Sequence, residues 1–204
     1  MWLRPGLAPW NRSIATVAAL IARLQTVALP LHVALALDNS VTPAELSETI
    51  THLTFYSGRP NAMAAVLVAR EVFAARRISG SELAPARPVL LPIDEAAEAK
   101  RAALVDTNAQ PVSSGVEHYT TEAIFKDLWL RPDLKPRDRS LVTVCVLVAA
   151  GQVAPVPFHL NRAMDNGLMR EEAAEVLTQL DLYSGWPNIF SAIPVFQGVF
   201  EARP

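Results

Sequence analysis

The strongest constraint on what this chain can fold into is that it is written twice. Trp2-Leu3-Arg4-Pro5 returns as Trp129-Leu130-Arg131-Pro132, an offset of 127 residues. The same offset carries Arg12-Ser13 onto Arg139-Ser140, Gln25 onto Gln152, His32 onto His159 and Asp38-Asn39 onto Asp165-Asn166. It then carries Glu45 and Glu48 onto Glu172 and Glu175, Tyr56-Ser57-Gly58 onto Tyr183-Ser184-Gly185, and Pro60-Asn61 onto Pro187-Asn188. No gap is needed between Trp2 and Phe73. Two copies of one unit imply a pseudo-symmetric pair rather than an open solenoid. The expected division is residues 1–78 for the first copy, 79–112 for a linker with a short helix, and 113–204 for the second copy.

Within each copy the apolar spacing is helical and strand alternation is absent, which predicts an all-α fold of two tandem units packed as a pseudo-dimer. A first long helix is expected over Asn11 to Val27. Thr42-Pro43-Ala44-Glu45 is a capping box with proline at the first helical position, so a helix should start there and run to about Tyr56. Gly58 and Pro60 break it, and a further helix should run from near Asn61 through Phe73, with Asn61 and Asn188 read as caps. The second copy repeats the order, but Met169 stands where the capping threonine would be and leaves that start less well held. Between the copies, Ser79 to Leu91 reads as linker and Asp94 to Val105 as a short charged helix. Ser113 to Leu128 is amphipathic and has no counterpart in the first copy, which is expected to lack its opening helix.

Composition narrows the partners. With 51% hydrophobic residues the chain can bury real cores. Its formal charge of −2, with both signs interleaved, offers no patch for nucleic acid. The apolar stretches Ser13 to Leu31 and Leu141 to Ala150 are interrupted by Arg23 and Gln25 or too short to span a bilayer of roughly 30 Å, so no membrane is implied. The opening residues lack a signal-peptide pattern, and a cytoplasmic location is the expectation. The single cysteine, Cys145, lies in an aliphatic run and reads as a core residue. One cysteine excludes an internal disulfide or a cysteine-cluster metal site.

Phe158-His159-Leu160-Asn161-Arg162-Ala163-Met164-Asp165-Asn166-Gly167, then Glu172, Glu175 and Tyr183-Ser184-Gly185-Trp186-Pro187-Asn188, resembles the signature of the carboxymuconolactone decarboxylase family: His-x3-Ala-x3-Gly, an acidic helix, and Tyr-x-Gly-x-Pro. Both copies carry it, with Ser40 in the first at the place of the signature glycine. That glycine is expected to follow a helix end in the left-handed region, where Ser40 costs some stability. The family's alkyl hydroperoxidase D branch needs a glutamate, a Cys-x2-Cys pair and the histidine as a relay. Here the cysteine places hold Gln152 and Pro155, or Gln25 and Ala28, and the glutamate place holds Ser140 or Ser13. Without a thiolate there is no nucleophile for a peroxide, so thiol peroxidase activity is excluded.

The resemblance then implies the lactone decarboxylases of aromatic compound catabolism, which act without a cofactor or metal on a small carboxylate or lactone such as 4-carboxymuconolactone. It also implies a homo-oligomer, here a trimer of tandem chains forming a pseudo-hexamer. Loss of carbon dioxide leaves a dienolate, which needs a donor at the lactone carbonyl and an acid toward carbon. His32 and His159 are the expected proton donors. Glu48 and His52 lie one turn apart, close enough for the carboxylate to orient the imidazole or raise its pKa, whereas the second copy has Glu175 with Gln179 in the histidine's place. If the second histidine matters, only the first copy is fully equipped. Arg12 and Arg139 either clamp a substrate carboxylate or bridge to Glu48 and Glu175. Tyr56, Tyr183 and Trp186 are assigned to a substrate-binding rim. The rival reading is a non-catalytic ligand-binding or scaffold member of the same family.

Overall fold

The computed structural model describes residues 1–109 and 111–203, so residues 110 and 204, which fall within the linker and second-copy ranges, lie outside the described residues. The helices of the first copy are α1 (Pro9–Ala22), α2 (Leu29–Asp38), α3 (Pro43–Tyr56) and α4 (Arg59–Ala75). Then come α5 (Glu95–Ala109) and α6 (Ser114–Tyr119), and the second copy repeats the first as α7 (Pro136–Ala149), α8 (Val156–Asp165), α9 (Arg170–Ser184) and α10 (Trp186–Glu201). No strand occurs among the described residues.

The chain forms two compact units, one of Met1–Ala84 with Leu134–Pro204 and one of Pro85–Asp133. The first unit holds the first copy and the second copy from Leu134 onward around one core, whereas residues 113–133, expected to open the second copy, fall in the other unit; the reason for the shared core is visible in α1 and α7. Every residue from Asn11 to Ile21, and from Asp138 to Ala149, is buried. A helix buried on all sides, its few polar residues included, needs cover from more neighbours than a single four-helix copy offers. The copies therefore lay α1 and α7 against each other, with α9 of the second copy on α1 and α3 of the first copy on α7. This crossed cover brings residues of one copy to face the other.

Local chemistry sets the ends. The Thr42 box forms as the sequence predicts: Glu45 N–H donates to Thr42 Oγ1 at 3.1 Å and Thr42 N–H to Glu45 Oε2 at 2.8 Å. At the equivalent start Glu172 accepts from Met169 N–H at 3.0 Å, but Met169 brings no hydroxyl to complete the exchange. Helix α1 stops at Ala22 rather than continuing to Val27, because Leu24 turns left-handed (φ 54°) and Pro30 needs the first turn of a new helix. Asn61 and Asn188 do cap, but at the far end of a neighbour: their side-chain amides donate to the last carbonyls of α1 and α7, Ala22 and Ala149, both at 3.0 Å.

In the second unit the charged segment becomes α5, and the amphipathic stretch becomes α6 followed by a π-helical turn over Thr120–Phe125. Arg101 is its polar anchor, donating to both oxygens of Glu98 while its guanidinium lies 4.3 Å from the centre of the Phe125 ring. No helix among the described residues is long and apolar enough to cross a membrane.

Candidate active site

The crossed packing builds two equivalent clusters, each taking its arginine and signature histidine from one copy and its acidic helix from the other. In the cluster around His159, Arg139 and Thr143 come from α7, His159 from α8, and Glu48, His52 and Tyr56 from α3. In the cluster around His32, Arg12 and Thr16 come from α1, His32 from α2, and Glu175, Gln179 and Tyr183 from α9. The spacing of four along α3 and α9 puts the carboxylate, the amide or imidazole, and the phenol on one face.

Arg139 and Glu48 form an ion pair of 2.9 Å with both side chains 0% exposed. Arg12 reaches Glu175 at 3.3 Å, and its remaining donors go to the carbonyls of Leu7 and Arg4 and to Gln179 Oε1. Arg4 adds a bidentate grip on Glu175 at 2.6 and 3.2 Å, which holds that carboxyl below its usual range, with Arg12 helping. Of the two readings open for these arginines, the geometry is that of the buried bridge. Arg12 has four of its five N–H donors engaged inside the protein.

His52 sits between Arg139 and Thr143. Its Nε2 is 2.7 Å from Thr143 Oγ1, and Thr143 in turn donates its hydroxyl proton to the carbonyl of Arg139 at 2.9 Å. The hydroxyl has one proton, so Nε2 must donate and Nδ1, 3.3 Å from Arg139 Nη1, must accept. His52 is thus fixed as the neutral Nε2–H tautomer. Burial, then the charge of Arg139, pushes its pKa well below that of a free imidazole. The expectation that Glu48 raises the pKa of His52 is overturned, since Glu48 answers Arg139 and the net field on the ring is unfavourable to a proton. His52 thus bridges Arg139 and Thr143.

His159 is 6% exposed, and burial, then Arg162, lowers its pKa to about 3. Its ring meets the rings of Tyr56, at 5.5 Å, and Phe158, at 5.0 Å, both edge-on. His32 is less enclosed, and burial alone lowers its pKa. Tyr183 meets it edge-on at 5.2 Å, and Trp2 stacks over its other side at 5.9 Å while donating its indole N–H to the Tyr183 hydroxyl at 3.0 Å. The Nδ1 of His32 is shielded from solvent and meets no partner among the described residues. Both signature histidines are therefore neutral in the free protein at neutral pH.

Trp186 does not join these clusters. It lines an outer groove of about 500 Å³ on α9 and α10, with Leu177, Phe190, Ile193 and Phe196. Glu45 and Glu172 serve the helix starts, and Glu172 also receives Arg137 at 3.2 Å. Cys145 is fully buried, with its thiol pKa raised by that burial. Thr16, Thr143, Trp2 and Arg4 were given no site role from the sequence, although all of them stand in the 127-residue repeat, Thr16 with Thr143, Trp2 with Trp129 and Arg4 with Arg131, and that recurrence was the available signal. No group of three or more histidine, cysteine and acidic residues able to hold a metal ion occurs among the described residues.

The profile of the carboxymuconolactone decarboxylase family matches residues 1–71 and again residues 115–198. The chain belongs to this family, in a tandem arrangement. It is 41% identical over 94 residues to a 4-carboxymuconolactone decarboxylase from Acinetobacter baylyi, a match covering 46% of this chain and 70% of that protein. It is also 34% identical over 71 residues to a nitrosuccinic acid decarboxylase from Metarhizium robertsii, covering 35% of this chain and 50% of that protein. Both relatives bear the names of decarboxylases.

Proposed function

We propose that this tandem family member is a cofactor-free decarboxylase of a small carboxylated butenolide such as 4-carboxymuconolactone, working at the clusters around His32 and His159. The observation that carries the reading is that each signature histidine meets the signature tyrosine of the opposite copy, His32 with Tyr183 and His159 with Tyr56. Residues more than a hundred positions apart converge in pairs, twice, in a chain whose similar proteins are named for loss of carbon dioxide from an acid.

The neutral imidazole shapes the chemistry. Scission of the carboxyl carbon bond leaves the electron pair in a dienolate that extends onto the lactone carbonyl, and one proton must then reach carbon. A buried imidazole holds no such proton until an anion lies beside it, because only a nearby negative charge offsets the burial that drives its pKa down. The substrate carboxylates supply that charge, so His159 takes up its proton with the substrate. It gives that proton to carbon and returns to the neutral form for the next cycle. The phenol of Tyr56, whose ring meets the imidazole edge-on, is the donor assigned to the developing oxyanion.

Assembly belongs to the same proposal. Phe55, Met63 and Val66 on the first copy, and Leu182, Phe190 and Ile193 at the equivalent places on the second, are all between 41% and 70% exposed. Apolar faces repeated at the 127-residue offset suit a closed ring of further copies of this chain, a trimer of tandem chains.

A ligand-binding role without turnover is the second reading, and Trp2 lying over His32 is the observation that favours it. The deciding experiment follows carbon dioxide release from 4-carboxymuconolactone by the wild type, His32→Ala, His159→Ala and the double mutant. Turnover that the double mutant abolishes supports the decarboxylase. Binding without turnover in the wild type establishes the second reading instead, and sedimentation as a clean monomer removes the ring.

A further inference from the structure

Trp2-Leu3-Arg4-Pro5 is the longest run that the second copy repeats unchanged, and in the first copy neither a helix nor the core accounts for it. Leu3 is 99% exposed, and the chain turns here with Arg4 N–H donating to the Met1 carbonyl at 3.0 Å. Polar ties hold this turn, and they lead to the His32 cluster. Arg4 grips Glu175 with two donors, and its own carbonyl accepts from the buried Arg12 at 2.7 Å. The turn so fixed delivers the half-buried indole of Trp2 to His32 and Tyr183. The indole lies within 16° of parallel to the imidazole at 5.9 Å, Tyr183 meets that imidazole edge-on at 5.2 Å, and the indole N–H donates to the Tyr183 hydroxyl at 3.0 Å. The last of these contacts decides what Tyr183 can do. An indole nitrogen only donates, so the phenol oxygen accepts there and the phenol proton is left for another acceptor. That proton goes to no acceptor among the described residues. Donation into the phenol oxygen also strengthens the bond its proton makes next, because groups bonded in a chain polarise one another.

We infer that Trp2 is a positioning residue of the His32 cluster, its indole N–H holding the Tyr183 phenol as a hydrogen-bond donor to the negative oxygen of a lactone enolate. For the identity of the substrate this rests on the decarboxylase reading, and it deepens that reading by naming what prepares the oxyanion donor. A second open group stands beside the same phenol ring, since the buried Nδ1 of His32 also meets no partner among the described residues. The cluster therefore offers a ligand one committed donor and one uncommitted ring nitrogen. The stack on His32 gains a purpose other than cover: it sets the indole plane, and with it the direction in which the N–H points at Tyr183.

The test isolates the His32 cluster in a His159→Ala protein, or in His159→Gln if the first does not fold. Two probes are used, turnover of 4-carboxymuconolactone and calorimetric binding of tetronate, a stable butenolide enolate. Trp2→Phe keeps a ring over His32 and removes the N–H, so it should lower kcat and weaken tetronate about three- to tenfold, the worth of one hydrogen bond, with KM changed by less than about twofold. Tyr183→Phe should cost more in both measurements. Adding Trp2→Phe to Tyr183→Phe should then change neither by more than about twofold, because the N–H has no phenol left to hold. Two losses that multiply would mark Trp2 as merely structural and overturn the inference. Unchanged tetronate affinity in Trp2→Phe, no tetronate binding at all, or faster turnover once the indole is gone would overturn it as well, the last by showing a cover. The decarboxylase reading is judged separately by carbon dioxide release from the wild type. Turnover indifferent to Trp2→Phe sinks the inference and spares that reading. Tetronate binding that depends jointly on Trp2 and Tyr183, in a protein that releases no carbon dioxide, does the reverse.

Discussion

Gln179 makes to Arg12 and Thr16 the two hydrogen bonds that His52 makes to Arg139 and Thr143. Gln179 Oε1 accepts from Arg12 Nη1 at 3.1 Å and its amide donates to Thr16 Oγ1 at 3.0 Å. His52 accepts from Arg139 through Nδ1 and donates to Thr143 through Nε2. A glutamine can replace a histidine in this way only where the imidazole is neutral with one proton. The exchange of histidine for glutamine between the copies is therefore silent in hydrogen bonding. His52→Gln should keep stability within about 1 kcal/mol of the wild type, because both partners stay satisfied. His52→Leu should cost about 1–3 kcal/mol, since a buried arginine N–H loses its imidazole acceptor and the Thr143 hydroxyl, which keeps its bond to the Arg139 carbonyl, loses its donor. Urea unfolding of the two variants checks this, and equal losses in both would mean that the ring is held by packing alone.

The two ion pairs should differ in what their loss costs. Glu48 and Arg139 are both sealed from solvent, so Glu48→Ala strands a buried guanidinium and should cost about 3–5 kcal/mol. Glu175 is 15% exposed, and Arg12 keeps three uncharged acceptors when that carboxylate is removed. Glu175→Ala should therefore cost about 1–2 kcal/mol. Parallel denaturant titrations measure the contrast, and a larger loss for Glu175→Ala would show that the burial of the two pairs does not set their worth.

The fold was legible in the sequence because its signals are local or repeated. The Thr42 box, the Gly58 break and the 127-residue offset each dictate structure without knowledge of the partner surface. The site was legible as a set of residue types but not as a set of partners. His32, His159, Glu48, Glu175, Tyr56 and Tyr183 all reach the clusters, yet which glutamate answers which arginine depends on how α3 and α9 cross the opposite copy, and no spacing within one copy encodes that. Trp186 stands apart from the clusters for a related reason. Its position beside the Gly-x-Pro turn fixes its distance along the chain from Tyr183, but the positive φ of Gly185, 83°, turns the chain into α10 and sends the indole to the outer groove.

Ser40 tests the backbone half of that legibility. It follows α2 with φ 68°, the left-handed conformation inferred from the family glycine, while its equivalent, Gly167, has φ 100°. Ser40→Gly should raise stability by about 1 kcal/mol, through relief of the Cβ clash with the backbone. Gly167→Ser should lower it by at least as much. A Cβ at Gly167 would meet nothing within 4 Å, so that loss would report backbone strain rather than crowding. Met169→Thr should add about 1 kcal/mol more, since a hydroxyl there completes the box that Glu172 half makes. Thermal melts of the three single variants check each sign independently.

Acid should destabilise this protein before its carboxylates titrate. His159 has a folded pKa of about 3 against an ordinary value of 6.5, and His52 is shifted in the same direction. Between these values the unfolded chain binds more protons than the folded one, so stability must fall as pH falls through that window. From about pH 6.5 to about pH 5, His159 alone should remove about 2 kcal/mol, at 1.36 kcal/mol per unit. The groups facing these rings are Arg139, Arg162 and, for His52, His159 itself, all of which oppose a further positive charge. Glu175 and Asp38, whose pKa values are lowered, lose their contribution only at more acid pH, and Asp138, raised by burial, acts in the opposite sense. His52→Gln should make the pH profile shallower without moving stability at neutral pH, because glutamine does not titrate. His159→Gln should likewise make the profile shallower. A flat profile between about pH 7 and about pH 5, or a slope that neither substitution changes, would show that these imidazoles are not held neutral in the fold.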